Sequence, residues 1–528
     1  MKAIFDAINQ FFEFIVPISD FMWDFPTNLG WYAAIPIIGR FSLALLILIG
    51  AGIYFSFQLR FIQLTHFKKG LKVLFKKKAS DRAGVSPLTA FMLSSAMRVG
   101  PGNIMGVTGA ISIGGPGAMF WMWFCAFFGM ATAYVESVLA QLFKEKKGDE
   151  YVGGLPYYGR KLLGDKKWIG ITLSLIFIFA FMFNVPGQTF HLFSSLGIAA
   201  GLITGTTYDR TSPVYYGIAI ILVIAVGSVI LGGMKRVTKV TDTIVPVMAT
   251  IYSVTVLIII VLNLNKVPYF FSAVFGGAFS PKAIFGGVIG TTILQGVKRG
   301  LMSNEAGQGT ITMAAAISHN DHPCEQGLIQ SLGVFLDTMV ICTMTGFIII
   351  MAHIWDGNAA VAWNAVKDSK LDVYILSVGN LVPGSFMDNF VKIILCFSYA
   401  MFAFTTLVGL ISFSEIASNR ISQDNKLMIA IRATGAFIMV PFGALTVLAG
   451  LELGNLWYIS DFTNILLVYA NVPVIIIGFK YVAKATKHYM RTNGGEFTSD
   501  VIGMDTEFWG NANNNKKEIS INEKNISS

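Results

Sequence analysis

Charged residues are scarce in this chain. Only 13% of its 528 residues are Asp, Glu, Lys or Arg, whereas 54% are hydrophobic. A soluble globular protein carries about 25% charged residues, so this chain has too few to cover a water-facing surface. The composition therefore excludes a soluble protein built around one core and predicts a membrane protein.

Metal-binding and nucleophilic motifs are also missing. The four cysteines lie in or beside apolar segments without the spacing of metal ligands, and the six histidines form no HExxH-type motif. Because no nucleophile–base pair is evident either, we expect no enzyme, no organic cofactor and no structural metal. The net charge of +9 comes with basic clusters between apolar runs, which is typical of membrane topology and not of nucleic-acid binding.

Apolar segments long enough to cross a bilayer, roughly 20 residues each, recur along the chain. We count about eleven: 38–58, 86–112, 117–143, 168–200, 214–233, 242–264, 283–317, 326–352, 389–414, 428–449 and 456–479. The connections after spans one, three, five, nine and eleven are basic. The positive-inside rule then places the N-terminus outside and the C-terminus in the cytoplasm, and we expect the membrane to be a bacterial inner membrane. The loop after span seven, SHNDHPCEQG, departs from this pattern because it has almost no positive charge.

Two spans contain residues that interrupt a helix. Span two has Gly100, Pro101 and Gly102 in succession, and inside a helix Gly costs about 1 kcal/mol and Pro about 3 kcal/mol relative to Ala. Span seven holds glycines and polar residues together: Gly296, Lys298, Arg299, Gly300, Asn304, Glu305, Gly307 and Gly309. Unwound backbone at membrane depth is tolerated where it lines a cavity or is buried in protein.

Each interrupted span opens a group of five, spans two to six and seven to eleven. An odd number of spans in each group inverts the second group in the membrane. Interrupted helices at matching places of two inverted halves indicate a transporter binding site. The alternative is that these glycines only allow helices to pack closely.

Short motifs occur in a fixed order between about residues 85 and 480. They are GPGNIMGV, GGPGAMFWMW, EYVGGLPYY, GVKRGLMSNEAGQG, DHPCEQG, FLDT, FAFTT and DFTN. Together they resemble the alanine/glycine:cation symporter family. The resemblance implies an all-α polytopic membrane protein with a leucine-transporter-like (LeuT-like) fold. The resemblance also implies a five-plus-five inverted repeat, in which the second group of five helices is inverted in the membrane. One extra N-terminal helix would precede the repeat, and the first span of each repeat would be a discontinuous helix.

This interpretation divides the chain into five parts. They are an amphipathic extracytoplasmic segment (1–37), the extra first helix with a cytoplasmic loop (38–84), the first five-helix repeat (85–264), the second, inverted repeat (265–480) and a cytoplasmic, largely disordered tail (481–528).

The substrate site is expected around the first break. A half-helix beginning near Ile104 would direct free N–H groups and the positive end of its dipole at an anion such as an amino-acid carboxylate, and the resemblance places Asn103 in the site. The expected substrate-binding residues are Gly102, Asn103, Ile104, Gln188, Gln295, Gly296, Thr406 and Leu410. The family commonly has the Gln of span four three residues after the Asn, where this chain has Gly187.

Two departures from the family bear on the substrate. Leu410 stands where the family typically has Trp, and Pro101 stands where it usually has Thr. Replacing an indole by Leu frees space at the side-chain end of the pocket. We therefore expect a small neutral amino acid of the alanine or glycine type, or a larger one such as glutamine, asparagine or serine.

Sodium is the expected coupling ion. Unwound carbonyls between Ala96 and Gly100 are hard oxygen ligands suited to a small cation, and the resemblance adds a pair of hydroxyls from span nine. The expected sodium ligands are Ala96, Val99, Thr405 and Thr406. The alternative for the threonines is a hydrogen bond to their own i−4 carbonyls.

Charges within membrane spans are costly and commonly mark function. The expected gate charges are Arg98, Glu136, Arg299 and Glu305, with snorkelling to the interface as the alternative.

We predict a sodium:amino acid symporter that works by alternating access in the lipid bilayer, and a monomer is compatible with the sequence. A proton-coupled carrier is the alternative, because Glu136 or Glu305 could titrate, and an ion channel or membrane enzyme fits less well.

Overall fold

The structure is a computed structural model that describes residues 10–510 apart from 11–12, 36–37, 77–83, 149, 210–211, 280–288, 353–369, 423 and 449–453. The start of the predicted amphipathic segment (1–9) and the end of the predicted tail (511–528) lie outside the described residues. Part of the basic loop after the first span does so as well.

The described chain is almost entirely helical. Up to residue 262 its helices are α1 (Ile15–Asp24), α2 (Gly30–Ala33), α3 (Leu43–Gln58), α4 (Ile62–Thr65), α5 (Phe67–Leu74), α6 (Pro87–Arg98), α7 (Val107–Gly114), α8 (Gly117–Leu142), α9 (Leu155–Leu162), α10 (Lys167–Thr204), α11 (Pro213–Ile230) and α12 (Gly233–Leu262). A short antiparallel hairpin of β1 (Glu145–Lys147) and β2 (Glu150–Val152) follows α8, with Lys146 opposite Tyr151.

The second half continues in the same way. Its helices are α13 (Val267–Phe279), α14 (Ile289–Asn304), α15 (Ile311–Ile317), α16 (Pro323–Val334), α17 (Thr343–Met351), α18 (Lys370–Gly379), α19 (Ser385–Ser418), α20 (Asn425–Thr434), α21 (Val440–Leu448) and α22 (Gly454–Thr492). Wider π-helical turns occupy Gly102–Gly106, Phe335–Cys342 and Gly435–Met439, and 3-10 turns occupy Ile38–Arg40, Leu264–Lys266 and Ser499–Val501.

Eight described helices are long and apolar enough to cross a membrane. They are Gly117–Leu142, Lys167–Thr204, Pro213–Ile230, Gly233–Leu262, Pro323–Met351, Ser385–Ser418, Asn425–Leu448 and Tyr458–Thr492, and Leu43–Gln58 is a shorter apolar helix. The predicted all-α polytopic architecture is confirmed. Fewer than the eleven predicted spans meet these limits, because the first helix is short and two others are interrupted.

The outer surface of the helix bundle is apolar. Ile220, Ile221 and Ile224 on α11 and Ile258 and Val261 on α12 are all more than half exposed. Exposed apolar surface of this extent marks contact with lipid or with another protein. Inside the bundle, α10 lies along α19, and α8 packs against α14 and α16.

Several basic connections meet at one end of the molecule. Glu145, after α8, forms ion pairs with Arg160 (3.0 Å) and with Arg420 after α19 (3.2 Å). Lys69, before α6, donates to Asn493 after α22 at 3.0 Å. These contacts join connections that the charge pattern assigned to the same side of the membrane.

The two chain ends are more tightly packed than expected. Trp23 on α1 is 1% exposed and α1 packs against α22, while Phe21 on the same helix is 50% exposed, so one face of this helix packs on the bundle. After α22, Phe497, Ile502 and Trp509 belong to the main buried cluster. The expectation of a disordered tail from residue 481 is therefore wrong for residues 481–510, because aromatic side chains anchor this segment to the bundle.

Candidate functional site

The first broken helix (residues 87–114) is interrupted where the sequence predicts. Ser86 caps its start by accepting from the Thr89 N–H at 3.0 Å. Helix α6 ends at Arg98, and the chain then runs through Val99 (φ −77°, ψ 83°) into the π-helical turn Gly102–Gly106. Gly100 is needed here because a Cβ atom would clash with the Thr406 hydroxyl.

The second broken helix (residues 289–317) is interrupted at 305–310, between α14 and α15. Glu305, Gly307 and Gly309 have positive φ angles of 58°, 92° and 77°, which glycine adopts readily and other residues rarely do. Gly296 and Gly300 lie within α14, so the interruption covers less of span seven than predicted. A Cβ atom on Gly296 would lie 2.6 Å from the Ala118 carbonyl oxygen, so this glycine allows close packing on α8.

Glu136 holds the second break together. This carboxylate on α8 is fully buried and accepts hydrogen bonds from the Gly307 N–H at 3.3 Å and the Gly309 N–H at 3.1 Å. The Asn471 amide on α22 also donates to it at 2.8 Å. An unwound segment leaves N–H groups unpaired at membrane depth, and Glu136 supplies the missing acceptors.

Arg98 joins the two broken helices. Its Nε donates at 3.2 Å to the carbonyl of Asn304, the last residue of α14, where a cation stabilises a helix C-terminus. Its Nη1 donates to the Gln330 side chain on α16 at 3.0 Å. This guanidinium is 1% exposed, so the snorkelling alternative does not apply to it.

Asn103 is engaged with the protein. Its Oδ1 accepts from the Gly100 N–H at 2.8 Å, and its Nδ2 donates to the Asp337 carboxylate at 2.6 Å. The same carboxylate accepts from the Ser303 hydroxyl on α14 at 2.8 Å. Asn103 and Asp337 therefore connect the first break to the end of α14, and Asn103 does not line the cavity.

A cavity of about 50 Å³ lies between the two breaks. Its walls come from both broken helices and from α10, α19 and α22. The lining residues are Met97, Arg98, Gly100, Pro101, Gly102, Phe181, Asn184, Gln188, Met302, Glu305, Gln308, Thr310, Thr406, Leu410, Ser460, Asn464 and Leu467. The cavity therefore joins backbone from both unwound segments with amide, hydroxyl and carboxylate groups.

The structure brings together only part of the predicted site. Gly102, Gln188, Thr406 and Leu410, and the predicted gate charges Arg98 and Glu305, line the cavity. Asn103, Ile104, Gln295, Gly296, Ala96, Val99, Thr405, Glu136 and Arg299 do not. The Gln295 side chain is on the part of α14 that packs near Gly114, away from the break.

The two predicted sodium-binding threonines face different ways. Thr406 Oγ1 lies 3.1 Å from the Ala96 carbonyl oxygen of the first broken helix and 3.0 Å from its own i−4 carbonyl, that of Phe402, so the predicted alternative applies to it as well. Thr405 Oγ1 lies within 3.1 Å of the Met401 and Phe402 carbonyls of its own helix, which is the alternative predicted for it. Only Thr406 is thus placed against the break.

Sequence reasoning missed the α22 wall of the cavity. Ser460 and Asn464 line it, and Asp461 between them forms ion pairs with Lys298 (2.8 Å) and Arg299 (2.8 Å) on α14. The motif DFTN, residues 461–464, contained the signal, since an acid inside an apolar span calls for a partner.

Trp23 packs on the ion-pair cluster next to this wall of the cavity. Its Nε1 donates to the Asp461 carbonyl at 3.0 Å, and the Lys298 ammonium lies 5.1 Å from its ring centroid. We call Trp23, Lys298, Arg299 and Asp461 the Asp461 closure. All four are at least nine-tenths buried.

The C-terminal end of the second broken helix is held by main-chain and side-chain hydrogen bonds. The Val85 N–H donates to the Ile317 carbonyl at 3.1 Å, and the His319 N–H donates to the Val85 carbonyl at 2.9 Å. The Ser318 carbonyl accepts from Gln141 Nε2 at 3.0 Å and from Lys144 Nζ at 2.8 Å. We call Val85, Gln141, Lys144 and Ser318 the Ser318 closure.

Known proteins are similar in sequence to this chain over most of its length. The sodium:alanine symporter family matches residues 31–500. The amino-acid carrier protein AlsT of Bacillus subtilis is 33% identical over 485 residues, which is 92% of this chain and 93% of the relative. The sodium/alanine symporter AgcS of Methanococcus maripaludis is 33% identical over 84% of this chain and 93% of its own.

A third relative carries a different substrate in its name. The probable sodium/glutamine symporter GlnT of Bacillus subtilis is 34% identical over 85% of this chain and 88% of its own. The predicted family and the prediction of a transporter rather than an enzyme are therefore confirmed. The chain belongs to the sodium:alanine symporter family.

Proposed function

We propose that this protein is a sodium-driven symporter that moves a small neutral amino acid across the membrane by alternating access. One observation carries the proposal: residues from both helix interruptions, Gly100 to Gly102 and 305–310, line the same cavity. Transporters bind substrate and coupling ions where interrupted helices meet near the middle of the membrane. The names of the relatives AgcS and AlsT are consistent with this function.

The proposed architecture follows from the position of the breaks. Residues 85–264 and 265–480 would be the two inverted halves of a LeuT-like fold, each opened by one broken helix, with α3 as the extra first helix. The N-terminus and the Asp461 closure would then face outward, and the basic connections with the Ser318 closure would face the cytoplasm. Import would require each closure to open in turn.

The substrate is proposed to be small. A cavity of about 50 Å³ has room for roughly four water molecules at 10–15 Å³ each, so in this conformation it favours alanine or glycine over a longer side chain. The Glu305 carboxylate lines the cavity, as does Gln188, whose Oε1 is buried without a partner in the described chain. These oxygens are suited to a substrate ammonium, and the half-helix beginning at Gly102 presents a positive end to a carboxylate.

Sodium is proposed to bind between the first break and α19. The Ala96 carbonyl and the Thr406 hydroxyl are 3.1 Å apart and are both hard oxygen ligands. One sodium ion gains about 2.3 kcal/mol per 100 mV of inward-negative potential, and a tenfold gradient adds about 1.4 kcal/mol. Because a neutral amino acid carries no net charge, one-to-one coupling makes transport electrogenic.

The adjacent threonines give a matched test of the sodium site. In proteoliposomes, Thr406→Val should raise the sodium concentration for half-maximal uptake at least tenfold, because it removes a proposed ligand. Thr405→Val changes the same functional group one residue away and should shift that concentration less than twofold. Equal effects of the two variants would contradict the assignment. Uptake driven by a pH gradient in potassium alone would favour a proton-coupled carrier instead.

Leu410 tests the substrate proposal. Competition by alanine, glycine, serine, asparagine and glutamine should rank the amino acids by size, with alanine and glycine strongest. Leu410→Trp fills part of the cavity, so it should weaken competition by the larger amino acids while sparing glycine. Unchanged selectivity in Leu410→Trp would show that this wall does not set the substrate size.

A further inference from the structure

Lys144 is a buried lysine without an ion-pair partner in the part of the chain that the structure describes. Its side chain is fully buried just after α8, and burial lowers the pKa of its ammonium well below the usual range. The Nζ atom lies 3.9 Å from the ring centroid of Phe508, 4.5 Å from that of Tyr151 and 5.6 Å from that of Trp509. Three aromatic rings therefore surround it.

This lysine contacts the moving part of the proposed carrier. Its Nζ donates at 2.8 Å to the Ser318 carbonyl, one residue beyond the end of α15. Gln141 donates to the same carbonyl at 3.0 Å and also to the Ala315 carbonyl. Two side chains of α8 and its extension thus hold the last turn of the second broken helix.

Both of these side chains are covered by the segment after α22. Trp509 Nε1 donates to the Gln141 backbone carbonyl at 2.7 Å. Phe508 and Trp509 supply two of the three aromatic rings that surround Lys144. The segment is itself anchored, since Ile502 is fully buried and its carbonyl accepts from Lys484 Nζ at 3.0 Å. The Ser499 N–H donates to the Trp509 carbonyl at 2.8 Å, and this hydrogen bond closes residues 499–509 into a loop.

We propose that residues 494–510 are a latch for the Ser318 closure. By packing Phe508 and Trp509 over Lys144 and Gln141, the segment holds these donors on the 315–318 carbonyls and keeps the path on that side of the cavity shut. Lys144 is the positioning residue that couples the segment to α15. Release of the latch shifts the carrier toward the conformation that is open at the Ser318 end.

Thiol accessibility tests the latch directly and needs neither the substrate nor the ion to be known. Ala315 is fully buried, so Ala315→Cys places a reporter thiol at the closure. A membrane-impermeant maleimide is applied from the proposed cytoplasmic side, in inside-out membrane vesicles containing the full chain. Trp509→Ala and Lys144→Met should each speed labelling roughly tenfold, the factor that about 1.4 kcal/mol represents.

Two matched variants separate the latch from general loosening. Lys146→Met makes the same change at an exposed lysine two residues away, and it should leave the labelling rate within twofold. Trp509→Phe keeps a ring but loses the donor to Gln141, so its rate should lie between those of the parent and Trp509→Ala. Methionine in place of Lys144 keeps the packing against the rings while losing the donor to Ser318.

The native Cys342, which is fully buried beside the first break, reports loss of the fold. Mass spectrometry of labelled peptides distinguishes it from the introduced thiol. The latch is supported if the reporter at 315 reacts faster while Cys342 stays protected. It is overturned if Trp509→Ala and Lys144→Met leave the reporter unchanged, or if Cys342 reacts in parallel.

Discussion

The Asp461 closure is built around charged side chains, whereas the Ser318 closure combines a main-chain bridge with donors from the Gln141 and Lys144 side chains. In the Asp461 closure, one carboxylate accepts from Lys298 and Arg299. In the Ser318 closure, Val85 pairs with residues 317 and 319 through main-chain hydrogen bonds. Two places along the same broken helix, one before its break and one at its C-terminal end, are therefore held by interactions of different strength and of different sensitivity to mutation.

This difference bears on how each end would open. A buried ion pair is held by strong attraction but costs much to desolvate, so it separates readily only when water reaches both charges. A short β-bridge loses about 0.5–1.5 kcal/mol for each hydrogen bond broken, so its hydrogen bonds can break one at a time. We infer that opening at Asp461 depends on hydration and that opening at Ser318 depends on the segments that cover it.

Removing Asp461 should have the largest effect. Asp461→Ala removes the carboxylate that pairs with the buried Lys298 and Arg299, and breaking one partner of a buried pair costs about 3–5 kcal/mol. Thermal unfolding in detergent should show a large loss of stability, and uptake should be abolished. Asp388→Ala removes a carboxylate from the more exposed pair with Lys392, whose side chains are 15–20% exposed, and should cost less than about 1 kcal/mol. Similar losses in the two variants would contradict the importance given to the Asp461 closure.

Glu136 should rank next, because the segment it holds lies between the closures. Glu136→Ala leaves the N–H groups of Gly307 and Gly309 unpaired in a fully buried place, at about 1–3 kcal/mol for each group. Glu136→Gln keeps one carbonyl oxygen as an acceptor, so it should retain part of the stability and of the transport rate. If Gln behaved as badly as Ala, the negative charge rather than the hydrogen bonding would be the essential property.

The Ser318 closure should be weakened measurably by one backbone donor. His319→Pro removes the N–H that binds the Val85 carbonyl, at about 1 kcal/mol. Ser318 has φ −76° and ψ 141°, the extended conformation favoured before proline, so the residue preceding the new proline needs no rearrangement. Labelling of Ala315→Cys from the Ser318 side should rise about fivefold, and His319→Ala, which keeps the N–H, should not change it.

The location of the breaks shows what a sequence can and cannot reveal. Gly100, Pro101 and Gly102 break the first helix as predicted, because two glycines flank a proline. In span seven, four glycines look alike in the sequence, yet only Gly307 and Gly309 have positive φ, while Gly296 serves close packing. Conformational freedom and small size are separate uses of glycine, and only tertiary structure distinguishes them.

Side-chain partners were harder to predict than helices. Long apolar runs determine where spans lie, so the predicted bounds of α10 and α19 are close to those of the structure, whereas α22 continues past the predicted end at residue 479 to Thr492. Asn103 could have faced a substrate or another residue, and its choice of Asp337 depends on a helix more than 200 residues away. Glu136 is predicted as a gate charge, and the sequence does not reveal that it also supplies acceptors to an unwound segment. Periodicity and motif order carry no information on such long-range pairs.

The smallest expected effect is at Trp23, and it tests whether α1 is part of the Asp461 closure. Trp23→Phe removes the hydrogen bond to the Asp461 carbonyl while leaving a ring near the Lys298 ammonium, so the loss should be about 0.5–1 kcal/mol. A reporter thiol at Ser460, which lines the cavity beside Asp461, should be labelled roughly three times faster from the α1 side. Trp31→Phe, at a tryptophan that is 69% exposed, is the matched control and should leave the rate unchanged. The Ser318 closure shares no contact with Trp23, so Trp23→Phe should not change the labelling rate of Ala315→Cys. A parallel rise at both reporter thiols would mean that the two closures open together, and it would refute their independence.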